Sequence, residues 1–291
     1  MTWGPDDDWQ PLTSGTGQAN GGVWVTGEGW VVKRLLPGVE DVRHHAYWQR
    51  QALVAESGIV ARTPGLRTPE YLRVVRDAEG ISLWSEYVES AVVDPLALAR
   101  TLGRFARARV VEPAWGARGV LRDRLRTVEH RGGWTALSRV VDEPLWRTAQ
   151  ALWVRRDAAL AELDALPRIP THGDAHPVNL CGRRGDDVIA FDWEQFGLGP
   201  AGFDLGYLLL ASDLPLSSLL DAYGAGSVVR RGAVLTAAFT AVSRAAWSLD
   251  QPSPGDHVER LDALGDVIDE ASRQAGDVNR RPGPRGCRRS R

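Results

Sequence analysis

Apolar and polar positions change period several times along the chain, and the changes predict its elements. Between residues 10 and 35, glycine-rich punctuation alternates with short β-branched runs. "TSGTGQANGG" breaks the chain, "VWVT" reads as a strand, "GEG" turns and "WVVKRLL" reads as a strand again, which predicts an antiparallel meander. From Asp41 to Ser57 glycine and proline disappear and helix formers dominate until Gly58, predicting one helix. "TPGLRTPEYLRVV" then reads as loop and strand, and "GISLWSEYV" as a further strand. After a break at "VESAVVDP", Ala/Leu/Arg-rich segments from about Pro95 to Leu166 predict helices. The remainder is mostly helical in pattern apart from a β-like island between Thr171 and Phe191, and no internal repeat is visible. The fold class expected is α+β: a small antiparallel β-rich N-terminal lobe (residues 1–90) followed by a larger, mostly helical C-terminal lobe (residues 91–275).

Composition narrows the functional classes. With 291 residues, 43% apolar and 25% charged, the chain has an ordinary globular make-up. A formal net charge of −2 gives no global attraction to nucleic acid or to anionic membranes, so neither is expected as a partner. Two cysteines, Cys181 and Cys287, are too few for a disulfide framework and fit a reducing cytoplasm. The acidic opening "MTWGPDDDWQ" has no apolar core region and no stretch approaches 18 apolar residues, so neither export nor membrane spanning is expected. Residues 276–291 carry six arginines among Pro and Gly and are expected to form a disordered basic tail.

Two features carry chemistry. Among 35 basic residues there is one lysine, Lys33, on the apolar strand after the glycine-rich segment. A solvated surface cation can be Lys or Arg, whereas an ammonium meeting phosphate oxygens from several directions is not replaced by a planar fork, so the choice of lysine here marks a function or else an arginine-biased composition. The second feature is "IPTHGDAHPVNLCGRRGDDVIAFDWEQFGLGPAGFDLGYLLL", residues 169–210. Asp174 and Asn179 share a loop, and "LCG", the polar turn "RRGDD" and "VIAF" follow. Read as a hairpin centred between Gly185 and Asp186, this segment places Asn179 opposite Asp192 with Asp174 on the loop leading in. An amide oxygen and a carboxylate side by side can hold Mg²⁺, whose remaining ligands are waters and substrate phosphates. The set reads as a phosphoryl-transfer site, with Asp174 deprotonating an attacking hydroxyl, Lys33 on the phosphates and the glycine-rich meander covering them.

"HGDAHPVN" followed by "IAFDWE" and "GPAGFDLGYLL" resembles the aminoglycoside phosphotransferase family of small-molecule kinases, which includes choline and homoserine kinases. The resemblance runs from Gly15 to roughly Tyr223 and implies a protein-kinase-like two-lobe fold with ATP (or GTP) in the cleft. It implies Asp174 as catalytic base, Asn179 and Asp192 as Mg²⁺ ligands and Lys33 as the phosphate contact. It further implies a nucleotide-covering loop from Ser14 through Gly15 and Gly17 to Asn20, and an adenine-binding hinge along the backbone from Glu86 to Val88. A small-molecule hydroxyl acceptor follows: an antibiotic such as an aminoglycoside or a nucleoside or sugar natural product, in resistance or self-resistance, or a choline- or homoserine-like metabolite.

Alternatives stand beside several assignments. His172, Asp174 and His176 also spell an H-x-D-x-H metal cluster, although bracing of the loop is the expected role of both histidines. Asp204 is expected to cap a helix or tie down the catalytic loop, and Trp193 and Glu194 fit either packing or the site's surroundings. Of the twelve tryptophans, most are expected in the core, with one near the cleft able to stack on a substrate ring. The sequence departs from the family pattern at Gln51, where the helix after the lysine strand should offer Lys33 a glutamate. That departure keeps open a nucleotide-binding pseudokinase with a regulatory role. Seven acids between Asp250 and Glu270, with Asp213 nearby, fit either an amine-bearing acceptor or a solvated helix face.

Overall fold

In the computed structural model, which describes residues 3–12, 20–251 and 256–273, the meander becomes β1 (Gln10–Leu12), β2 (Asn20–Val25) and β3 (Trp30–Leu35). Among the described residues these join β5 (Tyr71–Asp77) and β6 (Gly80–Glu86) in an antiparallel five-stranded sheet ordered β1-β2-β3-β6-β5. Alternation along β3 sorts its side chains. Leu35 faces a small core with Ile81, Leu83 and Ala52, and Lys33, two positions earlier, shares that face. Arg34 points the other way, where its buried guanidinium holds Asp77 at 2.6 and 2.8 Å and Ser82 at 3.0 Å beneath the ring of Trp3. Trp3, Trp9, Trp24 and Trp84 pack edge-to-face or tilted against one another at the sheet.

The helix expected over Asp41–Ser57 begins later, as α1 (Arg50–Ser57), after a run of turns. Arg50 explains the shortening. Its fully buried guanidinium accepts no compromise on partners: it donates to the carbonyls of Val42 (2.8 Å), His44 (2.8 Å), His45 (3.0 Å) and Trp115 (2.9 Å), and to that of Glu194. In a helix, the first three of those carbonyls would be taken by backbone N–H groups four residues on. Burial pushes the Arg50 pKa down to about 10, which leaves it charged at neutral pH. Helix α1 joins two cores, with Ala52 in the sheet's cluster and Val54 in the large helical one.

The helical part comprises α2 (Pro95–Ala106), α3 (Val120–His130), α4 (Glu143–Val154), α5 (Arg156–Asp164), α6 (Phe203–Leu210), α7 (Leu216–Tyr223), α8 (Ser227–Ser248), α9 (Glu259–Ala263) and α10 (Gly265–Ser272) among the described residues. The starts of α2 and α4 follow one rule: Asp94 and Asp142 each accept an N–H three residues on, at 2.9 Å, with a proline in the first turn. The central α8 is buried without interruption from Gly232 to Val242 and packs on α6 and α10. No helix among the described residues is long and apolar enough to cross a membrane.

The β-like island contains β8 (Gly182–Arg184) and β9 (Asp187–Ile189), β7 (Arg168–Thr171) leads into it, and β9 pairs in parallel with the short β4 (Leu66–Arg67). The island extends further than its pattern indicates, because "GLGP" forms β10 (Gly197–Pro200) antiparallel to β7. That tetrapeptide reads as a turn. Its first glycine is needed for a close approach instead, since a Cβ on Gly197 would lie 2.4 Å from the Ala117 carbonyl oxygen.

Candidate active site

The β8–β9 hairpin has the register that the spacing implies: Gly182 faces Ile189, Arg183 faces Val188 and Arg184 faces Asp187, and the Phe191 N–H continues the ladder to the Asn179 carbonyl at 2.8 Å. That bond brings the chain just before Asp192 against Asn179. Asn179 Nδ2 donates to the Asp174 carbonyl (3.0 Å) and to Asp174 Oδ2 (3.2 Å), which leaves Oδ1 as the amide atom that can meet a cation. Asp192 sits at φ 57°, ψ 53°, and is the one non-glycine with positive φ among the described residues. Asp tolerates this left-handed region better than β-branched residues, and its use at one carboxylate marks a position held for a purpose.

Lys33 crosses from the sheet to form an ion pair with Asp192 Oδ1. Gln51 is buried on α1, as placed from the sequence, and its side chain hydrogen-bonds the hydroxyl of Tyr71 on β5. The carboxylate beside Lys33 therefore comes from the hairpin and not from α1. Burial pushes the Glu194 carboxyl up, with Asp192's charge adding to the rise and Lys33 opposing it. Glu86 ends β6, pairs with Arg184 at 2.5 and 2.6 Å, and its N–H donates to the Glu70 carbonyl at 2.9 Å. Val88 lies against Gly182 of β8. Ser14, Gly15 and Gly17 lie outside the described residues, while Asn20 opens β2 with its backbone opposite Leu35.

The loop carrying Asp174 is braced from three sides. The His172 and Gly173 N–H groups donate to buried Asp204 at 2.7 and 3.0 Å. His172 Nδ1 accepts the Asp174 N–H at 3.3 Å, and its Nε2 meets the Phe191 carbonyl at 2.7 Å over the ring of buried Trp193. With both ring nitrogens engaged, His172 is a brace; among the described residues the His/Asp grouping with metal-ligand spacing is His44, His45 and Asp123, elsewhere. Gly173 takes φ +85°, and a Cβ there would lie 2.5 Å from the Gln195 carbonyl oxygen, so glycine is required between His172 and Asp174. Asp204→Asn is expected to cost about 1–3 kcal/mol, because an amide cannot accept both buried N–H groups as a carboxylate does. Urea unfolding measures it; a midpoint equal to wild type would refute the bracing role.

Sequence reasoning missed the cations around Asp174. Arg124 of α3 and Arg244 of α8 both approach Asp174 Oδ1, at 3.7 and 3.4 Å. Burial pushes the Asp174 carboxyl up, but Arg124 and then Arg244 outweigh it and hold the group below its ordinary value. The signal for Arg244 was present: it interrupts "GAVLTAAFTAVSRAAW", the apolar run of α8. Of the acids after Asp250, Glu270 pairs with Arg230 at 2.5 Å and Asp269 accepts from Thr148 at 3.1 Å. Asp213 pairs with Arg260 at 2.6 Å. Trp247, 40% exposed, stands at the cleft beside Asp174.

Residues 8–235 match the model of the phosphotransferase enzyme family, known as APH. The chain belongs to this family. Among solved phosphotransferase structures similar to it is a choline/ethanolamine kinase family protein from Mesorhizobium loti, with a TM-score of 0.57 at 19% identity over 93% of this chain and 92% of that one. Choline kinase LicA from Streptococcus pneumoniae follows with 0.56 at 15% identity, over 90% and 93%. The GDP complex of aminoglycoside 2'-phosphotransferase-IIIa gives 0.53 at 14%, over 90% and 92%. No curated protein sequence matches the chain significantly. The phosphotransferase fold of these structures is the two-part α+β architecture described above, with an antiparallel sheet followed by helices.

Proposed function

We propose that the chain transfers the γ-phosphoryl group of ATP or GTP to a hydroxyl of a small molecule. What supports this is the ion pair of Lys33 on β3 with Asp192 after the hairpin, together with the hydrogen bond of Asn179 to Asp174 on the loop before it. In this reading residues 1–90 close over the nucleotide, from Ser14 to Asn20 along the phosphates and from Glu86 to Val88 along the base, and residues 91–275 hold the acceptor. Asp174 orients the acceptor hydroxyl and takes its proton as the oxygen–phosphorus bond forms and the bond from phosphorus to the β-phosphate oxygen breaks. Its lowered basicity suits a transfer in which little negative charge builds on the attacking oxygen.

Lys33 binds phosphate oxygens and keeps Asp192 oriented meanwhile. Asn179 and Asp192 would hold Mg²⁺: both are hard oxygen donors, one charged, and they flank the two ends of the β8–β9 hairpin. When bound, the ion supplies neutralisation of phosphate charge. The GDP-bound phosphotransferase among the similar structures supports the nucleotide assignment.

The test is transfer of label from γ-labelled ATP and GTP, with Mg²⁺, to a broad acceptor panel. Phosphorylation of any hydroxyl compound supports the reading. A second reading rests on Gln51, whose amide is engaged by Tyr71 where a glutamate would lend charge to Lys33: a nucleotide-binding regulator without transfer. In that case wild type binds nucleotide yet labels no acceptor, while Gln51→Glu gains ATP hydrolysis. In the kinase case Gln51→Glu changes the ATP KM by less than about tenfold.

A further inference from the structure

Beside Asp174, between α3, α8 and the turn at His44 and His45, lies a cleft of about 300 Å³, the size of a small-molecule site. Its charge is one-sided. Arg124, Arg131 and Arg244 line it, and among the described lining residues Asp174 is the one carboxylate. Two guanidinium groups share a single Asp174 oxygen, at 3.7 and 3.4 Å, so the pair keeps a net positive charge even with Asp174 ionised. Both also lie over the ring of buried Tyr207, at 4.9 and 5.3 Å, which fixes them from behind. Each has five donors, and Asp174 and Gln195 (2.6 Å from Arg124 Nη2) use few of them. Burial disfavours both charges, and Arg244 further disfavours that of Arg124, with Asp174 opposing the loss at each.

A second observation is independent of charge. Thr240 Oγ1, on the cleft wall, is buried with no hydrogen-bond partner among the described residues. A buried hydroxyl in that state is costly unless a ligand's polar atom completes it. An amine-bearing acceptor would set its own cation against the two arginines and leave their donors idle. A carboxylate or phosphate matches a guanidinium fork in shape and charge.

We infer that the acceptor is an anionic hydroxyl compound, with a carboxylate or phosphate held between Arg124 and Arg244 on an atom near the carbon whose hydroxyl faces Asp174. This rests on the phosphotransferase reading and deepens it. Arg131 at the exposed rim steers the anion, and Trp247 gives the apolar wall.

Four compact acceptors separate the outcomes: glycerate (carboxylate), glycerol 3-phosphate (phosphate), glycerol (neutral) and choline (cation). An anionic member is expected to be phosphorylated with kcat/KM at least about tenfold above glycerol, with choline inert, and which anion leads distinguishes carboxylate from phosphate. Arg131→Glu, on the surface and safe for folding, is expected to raise the KM for that anion about three- to tenfold with kcat unchanged. Arg244→Gln should raise it about ten- to a hundredfold, partly restored in Arg244→Lys. Choline as best acceptor, or a lower anion KM in Arg131→Glu, overturns the inference. Calorimetry on nucleotide-free protein judges it without turnover. Binding of glycerate or glycerol 3-phosphate that is lost in Arg244→Gln supports it even if no phosphate is transferred; binding of neither, with choline bound, refutes it even if the protein is a kinase.

Discussion

Asp174→Asn is expected to lower turnover by about 10²- to 10⁴-fold while ATP binding stays close to wild type, because asparagine keeps the shape of the side chain and removes its basicity. Asn keeps one acceptor oxygen, able to meet either Asn179 Nδ2 or Arg244 but not both, while the backbone carbonyl of residue 174 still accepts from Asn179 Nδ2 at 3.0 Å and holds the loop. The pH profile gives a second readout. In the wild type burial raises the Asp174 carboxyl, but Arg124 and Arg244 outweigh it and the net direction is down. A base whose pKa is depressed stays competent as pH falls, and loses activity only when pH passes below that depressed value. The acid limb of kcat/KM is therefore expected below the ordinary aspartate value of about 3.9, under conditions where the protein remains folded. In Arg244→Gln one of the two depressing charges is gone, so the limb should move to higher pH. Near-wild-type turnover in Asp174→Asn would make Asp174 a structural residue and remove the proposed mechanism.

How far the sequence carried depended on the range of the interaction. The hairpin was legible because its evidence is local: a polar turn at Gly185–Asp186 and a fixed spacing set the register that pairs Gly182 with Ile189 and Arg184 with Asp187. The meander and the lysine strand were legible for the same reason, since β-branched runs between glycines leave few alternatives. The start of α1 was not, because Arg50 gathers carbonyls from Val42, His44, His45, Trp115 and Glu194, and nothing in the residues 41–49 announces that a guanidinium will claim them. β10 was hidden because glycine signals a turn equally well as a close approach to Ala117. The electrostatics of the acceptor side were hidden most thoroughly. Of the acids clustered in sequence after Asp250, Asp269 meets Thr148 and Glu270 meets Arg230, 121 and 40 residues away, and arginines 120 residues apart, Arg124 and Arg244, converge on one aspartate. Clustering along the chain was a poor guide to clustering in space.

Asp192 is expected to be as indispensable as Asp174, by a different route, and the substitution must be chosen with its backbone in mind. At φ 57° an alanine would add strain of about 1–2 kcal/mol to the loss of a carboxylate, so a dead Asp192→Ala could reflect a distorted hairpin. Asparagine tolerates the left-handed region as aspartate does and removes only the charge. Asp192→Asn is thus expected to unfold within about 1 kcal/mol of wild type, since the pair it weakens with Lys33 is partly exposed and of modest worth. Turnover should nonetheless fall at least about 10³-fold, because a hard cation loses its one charged protein ligand and Lys33 its neighbouring carboxylate. The binding measurement separates these effects from folding. In wild type, ATP affinity should rise with added Mg²⁺; in Asp192→Asn it should be nearly flat across the same titration. Lys33→Arg should not rescue the variant and should itself be nearly as damaging as Lys33→Ala, since the planar fork cannot meet phosphate oxygens from the directions an ammonium reaches. If ATP affinity in Asp192→Asn rose with Mg²⁺ as steeply as in wild type, Asp192 would be only the partner of Lys33, and the metal would have to be held elsewhere.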